Sequence, residues 1–430
     1  MPGTLGRVRE RAAGVGSRLR ASGAAVVQLV QALGSFLLQA IVARTLGLDG
    51  LAVFSALFGV MVLGAGVASG MVGDSLTVLD RTAARIRSSL VSWAAVVAVG
   101  GAAVAVVVSA SGGRLDLDVD AVTAVWFVIA TPLFLLEEVG RRLLMAVMRF
   151  WSVVVVDLVA LAASVISLAA IGIAGRVTLG SFLAAVAVGQ TAALIAVVAL
   201  LPADERRLGA LRRPRSDEVW AYGRWRAVQQ FMRLATITAL RLVGIAVAGA
   251  TAYGRVEAAR LVVAPAIHVI GGMANFLFAG YARTRDRPLA AQVAATDRQV
   301  VRLASLVAGV GVLAVLGEPV WSSIVVGEAD ELSSLALLAW TAYAAASSAS
   351  TPYGALAAAR GPAHRHRHPS RRVGLEHRRR RRGGRSRCIR RLGTGHDGRG
   401  HPRRRLGRPP ARARPGGRAA QLTVTPGTAA

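Results

Sequence analysis

Long apolar stretches, rich in Val, Ala, Leu and Gly, follow one another from residue 24 to residue 360. They recur at the length that spans the hydrocarbon core of a bilayer, where an isolated backbone can satisfy its amides only within a helix. The sequence therefore predicts an all-α polytopic membrane protein with about ten transmembrane helices. The predicted spans are 24–44, 50–73, 89–111, 121–138, 150–173, 179–201, 227–250, 256–281, 300–317 and 332–356.

Arginines alternate between the segments that join the predicted helices. The segment before helix one and those after helices two, four, six and eight carry at least three Arg each, whereas the segments after the odd-numbered helices carry no more than two. Asp116, Asp118 and Asp120 occupy one of the Arg-poor segments. Because cytoplasmic loops are enriched in positive charge, this alternation predicts a multi-pass protein of the cell (inner) membrane with a cytoplasmic N-terminus.

The orientation can be checked at Gly209, which lies in the Arg-rich segment 202–226. A cysteine introduced there, in a chain whose single Cys388 is replaced by Ser, is expected to stay unmodified by a membrane-impermeant maleimide in intact cells. In permeabilised cells the same cysteine should be modified. Labelling of intact cells would refute the predicted orientation.

The composition changes abruptly after Arg360. Residues 361–430 contain 21 Arg, six of the seven His and two acids, and the chain has no Lys. The CGN codons of Arg and the CAY codons of His begin with C, and read one base later they become codons for residues such as Val, Ala, Thr or Ile. We interpret the tail as the product of a +1 frameshift near position 362 that truncates a longer protein, and we expect it to be disordered. The alternative is a genuine basic arm that binds nucleic acid or anionic lipid.

The longest internal loop divides the chain into two unequal groups of helices. The predicted domains are a basic cytoplasmic N-terminus (1–23), a first six-helix bundle (24–201), an inter-bundle loop (202–226), an incomplete second bundle (227–360) and the tail (361–430). Segments 28–50 and 229–254 open alike, each with a polar-studded helix that closes on a Gly-containing turn. This similarity indicates two homologous halves, as in transporters built from repeats.

Two hairpin segments resemble a known family. Residues 38–54 place Ala43-Arg44, Leu46-Gly47 and Gly50 in the order seen between helices one and two of Wzx-type polysaccharide flippases. Residues 252–260, followed by Pro265, are similar to the hairpin between helices seven and eight of the same family. The resemblance implies the architecture of the multidrug/oligosaccharidyl-lipid/polysaccharide exporter superfamily. Leu51 stands where the family usually has an aromatic residue.

Predicted helix one carries a polar stripe. Gln28, Gln31, Ser35 and Gln39 fall within an arc of about 80° on a helical projection. Such a stripe in a membrane helix faces neighbouring helices or a water-filled cavity. We expect it to line a cavity, where amides suit a sugar-bearing substrate; the alternative is hydrogen bonding between helices.

Predicted helix seven carries charge as well as polar residues. Its polar side chains, within an arc of about 140°, are Gln229, Gln230, Arg233, Thr236 and Arg241. A charge inside a membrane normally faces a cavity or a partner and marks a substrate path. We expect Arg241, Arg233 and Arg44 to form a cationic cavity for a diphosphate, which guanidinium groups bind in bidentate fashion. The alternative is that Asp157 neutralises Arg241.

Two further sets of residues are candidates for weaker roles. Asp157 and His268 are candidate sites of ion coupling, although His268 also fits a hydrogen-bonded packing role. Glu137 and Glu138 stand four residues before Arg141 and Arg142, and we interpret these as solvated salt bridges of little energetic weight.

The resemblance and the residues together predict a flippase for lipid-linked oligosaccharide precursors that works by alternating access. We expect no enzymatic chemistry, cofactor, metal or specific nucleic acid. The expected partners are the lipid bilayer, the lipid-linked substrate and other polysaccharide-assembly proteins.

Three alternatives remain open. A multidrug/cation antiporter of the same superfamily would need buried carboxylates, and Asp157 is the acid that we place deep in a span. A membrane-bound glycosyltransferase or polymerase would need a large extracytoplasmic loop, whereas the loops here are short. A truncated product without function is the third.

Overall fold

The computed structural model describes residues 3–114, 117, 119–206, 217–284, 287–327 and 332–360. Within these ranges the chain forms helices and no strand, as predicted. The predicted tail and Gly209 lie outside the described residues, as does the side chain of Arg233. The α-helices are α1 (Gly3–Ala68), α2 (Asp74–Val78), α3 (Ala84–Ala110), α4 (Ala121–Ala146), α5 (Phe150–Ala174), α6 (Leu179–Leu200), α7 (Asp217–Ala248), α8 (Ala250–Arg283), α9 (Leu289–Leu316), α10 (Glu318–Val325) and α11 (Ser334–Arg360).

Every predicted span lies largely within helix. Among the described residues, 7 helical stretches are long and apolar enough to cross a membrane, and one of these is the 53-residue stretch Val26–Val78. Local signals set several boundaries. Asp120 caps α4 by accepting a hydrogen bond from the Thr123 amide at 3.0 Å, and the hydrogen bonds from Thr123 lower the pKa of the Asp120 carboxyl. The polytopic all-α prediction is confirmed.

The first helix, α1, is a hairpin of two arms that meet at Gly47. The hydroxyl of Ser55 donates to the side-chain oxygen of Gln39 at 3.4 Å, whereas a straight helix would hold residues so far apart in sequence about 24 Å apart. Gly47 has a φ of 71° and a ψ of −169°, a conformation that L side chains rarely adopt. Predicted helices one and two are therefore the first arm (before Gly47) and the second arm (after Gly47) of α1.

A second hairpin, formed by α7 and α8, meets the first at its tip. Gly249 joins the two helices with a φ of 84°. The hydroxyl of Thr251 donates to the carboxylate of Asp49. A Cβ atom on Gly254 would lie 2.2 Å from the carbonyl oxygen of Leu48, so the two backbones touch. We call this end of the bundle, which carries Gly47 and Gly249, the hairpin end.

The second arm of α1 packs closely along α7. Gly59 lies under the side chain of Arg241, and Gly66 lies under Leu234. In the π-helical turn (Ser69–Gly73) that follows α1, a Cβ on Gly70 would lie 2.6 Å from backbone atoms of Arg226 and Ala227. Small residues allow membrane helices to approach in this way, which compensates for the weak hydrophobic driving force in lipid.

An apolar core joins the helices on both sides of the predicted inter-bundle loop. It includes fully buried residues of α1, α4, α6, α8 and α11, among them Phe54, Phe127, Phe182, Leu261 and Leu337. Many large apolar side chains on α3, α5, α7 and α9 are instead exposed, which suits helices that face lipid. The division into bundles 24–201 and 227–360 stays a prediction.

Candidate functional site

Arg241, the charge predicted to mark a substrate path, pairs with a carboxylate that sequence reasoning did not single out. Its Nη2 donates to Oε1 of Glu257 in α8 at 3.0 Å. Glu257 is 0% exposed and Arg241 is 7% exposed. One turn further along α8, Nε of Arg260 donates to the same Oε1 at 2.6 Å. One carboxylate oxygen therefore accepts from two guanidinium groups.

Gln39 links α7 and α8 to the first hairpin, α1. Nη2 of Arg260 donates to Oε1 of Gln39 at 2.6 Å, and the same amide oxygen accepts from Ser55. The Gln39 amide nitrogen donates to the Ser35 carbonyl of its own helix at 3.1 Å. We call Gln39, Ser55, Arg241, Glu257 and Arg260 the α1–α7–α8 network.

The α1–α7–α8 network lies inside the bundle and carries excess positive charge. Gln39 and Arg241 precede the glycines of their turns by about 12 Å of helical rise. Two guanidinium groups face one carboxylate in it, which leaves one formal positive charge. Among the described residues, Nε of Arg241, Oε2 of Glu257 and the hydroxyl of the neighbouring Tyr253 are buried and find no hydrogen-bond partner. These groups can accept and donate to a further ligand.

A second buried network joins α4 to α5. Arg141 contacts three carboxylates: Glu138 at 2.8 Å, Asp157 at 2.8 Å and Glu137 at 3.6 Å. Arg142 pairs with Glu138 at 2.7 Å. Three acids thus face two guanidinium groups, which leaves one formal negative charge. We call these five residues the α4–α5 network.

This arrangement corrects three sequence interpretations. Glu137, Glu138 and Arg141 are buried, with 5%, 8% and 4% exposure, so the pairs on α4 are not solvated surface salt bridges. Asp157 binds Arg141 and is not the partner of Arg241. Asp157 is also not alone as a deep acid: in the described part of the chain, Glu137, Glu138 and Glu257 are buried.

The remaining predicted site residues occupy different places. Arg44 is exposed and its Nη2 donates to the carbonyl of Ser323 in α10 at 2.7 Å. Gln28 and Gln31 are partly buried on the first arm of α1, and Gln229 is exposed near the start of α7, where it accepts from Arg226. His268 places Nδ1 2.8 Å from the Ala264 carbonyl of its own helix. The structure thus places Gln39 and Arg241 in the same network, whereas Arg44 makes a separate contact with α10.

Comparisons with known proteins bear on the fold. No family model matches the chain, and no curated protein matches it. A solved structure, described as the inward-facing conformation of a multidrug resistance MATE family transporter of the MOP superfamily, aligns with 79% of this chain and 83% of its own, at a TM-score of 0.58 and 13% identity. The chain shares that transporter's fold. At this identity the likeness shows the architecture and leaves the substrate open.

Proposed function

We propose that the chain is a membrane transporter that works by alternating access and moves lipid-linked oligosaccharide precursors across the cytoplasmic membrane. The observation that carries the proposal is the excess positive charge of the α1–α7–α8 network. An unbalanced charge inside a membrane protein is costly unless another group compensates it. The diphosphate of a lipid-linked sugar supplies both the negative charge and the acceptor oxygens that guanidinium groups bind in pairs.

The predicted orientation gives each element a part in this transport. With a cytoplasmic N-terminus, the hairpin end faces the outside, and the α1–α7–α8 network lies below it within the membrane. Gln28 and Gln31 lie further towards the cytoplasmic side on the same arm as Gln39, where their amides are proposed to contact the sugars. The lipid tail stays in the bilayer, and no covalent step is required of the protein. Arg44 and Arg233 remain proposed members of the cationic path.

The second candidate function is export of cationic compounds in exchange for ions, in the cell membrane. It is favoured by the α4–α5 network, in which Glu137, Glu138 and Asp157 outnumber their arginines. A cation or a proton would balance that charge, which keeps Asp157 a candidate coupling residue; His268 stays one by its position in α8. The structural likeness to a multidrug resistance transporter is compatible with this function.

The two functions predict different cargo in proteoliposomes that contain the full chain. We expect translocation of a fluorescent polyprenyl-diphosphate oligosaccharide and no movement of the cationic dye ethidium under a pH gradient. Arg241→Ala should lower translocation by about tenfold or more, since it removes a charge-assisted contact. Arg241→Lys should restore part of it, because an ammonium keeps the charge without the bidentate geometry.

The opposite pattern, in which ethidium moves and the diphosphate probe does not, would overturn the flippase proposal in favour of the antiporter. Gly309→Ala serves as the matched control, since a Cβ there meets no atom within 4 Å. Its translocation should equal that of the parent chain.

A further inference from the structure

The two hairpins correspond to one another residue by residue around their glycine turns. In the first, Gln39 and Ser55, 16 residues apart, are hydrogen-bonded across Gly47. In the second, Arg241 and Glu257, also 16 residues apart, are hydrogen-bonded across Gly249. Each glycine lies midway between its pair, and each has a positive φ.

The hairpins meet at equivalent positions. Asp49 and Thr251 are 202 residues apart, which is the offset that maps Gly47 onto Gly249 and Gln39 onto Arg241. They occupy equivalent positions and are hydrogen-bonded to each other. The hairpin end is therefore a junction between two matched hairpins.

Charge is distributed unequally across this junction. The first hairpin contributes the neutral pair of Gln39 and Ser55, and the second contributes the charged pair of Arg241 and Glu257. Arg260 connects them, because it donates to Glu257 with Nε and to Gln39 with Nη2. The link from Arg260 to Gln39 thus depends on a guanidinium that Glu257 holds in place.

From this geometry we propose that the α1–α7–α8 network is an outer gate, and that Glu257 is an exchangeable counter-ion which an anionic headgroup displaces. The proposal rests on the proposed transport of a diphosphate lipid. In the closed state Glu257 neutralises part of the charge of Arg241 and Arg260. An arriving diphosphate offers better-matched acceptors to both guanidinium groups, so Arg260 exchanges Gln39 for a phosphate oxygen and this side-chain link between the hairpins is lost.

The free-energy cost of a displaced, unpaired carboxylate favours opening. Glu257 is fully buried while its two arginines hold it. A buried carboxylate without a partner is strongly disfavoured relative to one in water. Separation of the hairpin tips admits water to Glu257 and relieves that cost. Headgroup binding and opening of the outer side are therefore coupled through one residue.

A backbone contact at the same junction shows how tightly the closed gate is packed. Gly254 faces the carbonyl of Leu48 so closely that a Cβ would approach the oxygen to 2.2 Å and the carbon to 2.7 Å. The obstacle is backbone, which cannot rotate away as a side chain can. Gly254→Ala is accordingly expected to keep the tips apart without altering any charge.

The gate is tested by the accessibility of Ser55, which is 0% exposed in the closed network. Ser55→Cys in a Cys388→Ser background is reconstituted in liposomes and treated with a membrane-impermeant maleimide from the side of the hairpin end. Geranylgeranyl diphosphate is expected to raise the labelling rate about tenfold, the equivalent of one lost hydrogen bond to a charged group. Geranylgeraniol, which lacks the diphosphate, should leave the rate unchanged.

Two variants open the gate without ligand if the proposal is right. Arg260→Gln removes the link to Gln39 yet leaves Arg241 and Glu257 as a balanced pair, so the fold should survive. Gly254→Ala opens the junction sterically. Both should label at the fast rate in the absence of diphosphate, whereas Gly309→Ala should label slowly.

The outcomes separate the gate from the transport function. Slow labelling of both Arg260→Gln and Gly254→Ala overturns the gate, whatever the cargo assay shows. Fast labelling of both variants without acceleration by geranylgeranyl diphosphate overturns the counter-ion exchange. If the oligosaccharide probe is still translocated while Ser55→Cys stays unlabelled, the proposed function stands and the gate falls.

Discussion

Replacement of Glu257 by Gln is expected to lower the free energy of unfolding by about 3–5 kcal/mol, because it removes one member of a buried ion pair and leaves charge uncompensated. Arg241 and Arg260 both donate to this carboxylate. Without it, two guanidinium groups would face each other in a buried part of the bundle. The measurement is an equilibrium unfolding titration of the detergent-solubilised chain.

A matched control is Glu218→Gln, which breaks an ion pair at the surface. Glu218 pairs with Arg85, and the two side chains are 52% and 69% exposed. Exposed pairs contribute about 0–1 kcal/mol, so this variant should be close to the parent. The double variant Glu257→Gln/Arg260→Gln has the formal charge of the parent network and should recover part of the loss. If Glu257→Gln is no more destabilising than Glu218→Gln, the network does not stabilise the fold.

The helices could be predicted from the sequence because the membrane imposes one structure on long apolar runs. The predicted starts at 121 and 179 coincide with α4 and α6, where Asp120 and Thr178 act as caps. The turn at Gly47 was also within reach, since the two predicted spans left only a few residues between them. These features are local, and their physical causes are contained in short stretches of chain.

The role of Glu257 is not apparent from the sequence, although the residue lies inside a predicted span. Its neighbours in the sequence do not reveal that Arg241, 16 residues earlier, returns to it across Gly249. One signal was present: Gln39 and Ser55 stand at the same spacing around Gly47. An alignment of the two hairpins on their glycines would have placed a carboxylate opposite Arg241.

The α4–α5 network shows why burial cannot be judged from one helix. Acid–arginine pairs at i,i+4 usually lie on solvated helix faces, and on α4 alone this was the natural interpretation. Asp157 comes from α5 and covers the same face, and α6 packs against α4, as the contact between Gly140 and Val197 shows. The burial of Glu137 and Arg141 is thus a tertiary property, set by which helices are neighbours.

Replacement of Arg141 by Met is expected to lower the free energy of unfolding by about 3–5 kcal/mol as well, in this case because it leaves buried negative charge uncompensated. It leaves Glu137, Glu138 and Asp157 with Arg142 as their remaining partner in the α4–α5 network. Met keeps most of the volume and none of the charge, so the loss reports electrostatics more than packing. Equilibrium unfolding in detergent, under the conditions used for Glu257→Gln, gives the comparison.

The triple variant Arg141→Met/Glu137→Gln/Asp157→Asn isolates the cause. It leaves Glu138 and Arg142 as a balanced pair, so most of the stability should return. Transport then separates the two candidate functions. A flippase that uses the α4–α5 network only for its fold should translocate the diphosphate probe at the parent rate in the triple variant. An antiporter that couples through Asp157 should fold but lose its dependence on the ion gradient. If the triple variant is as unstable as Arg141→Met, uncompensated carboxylates are not the source of the loss, and packing around Arg141 must be.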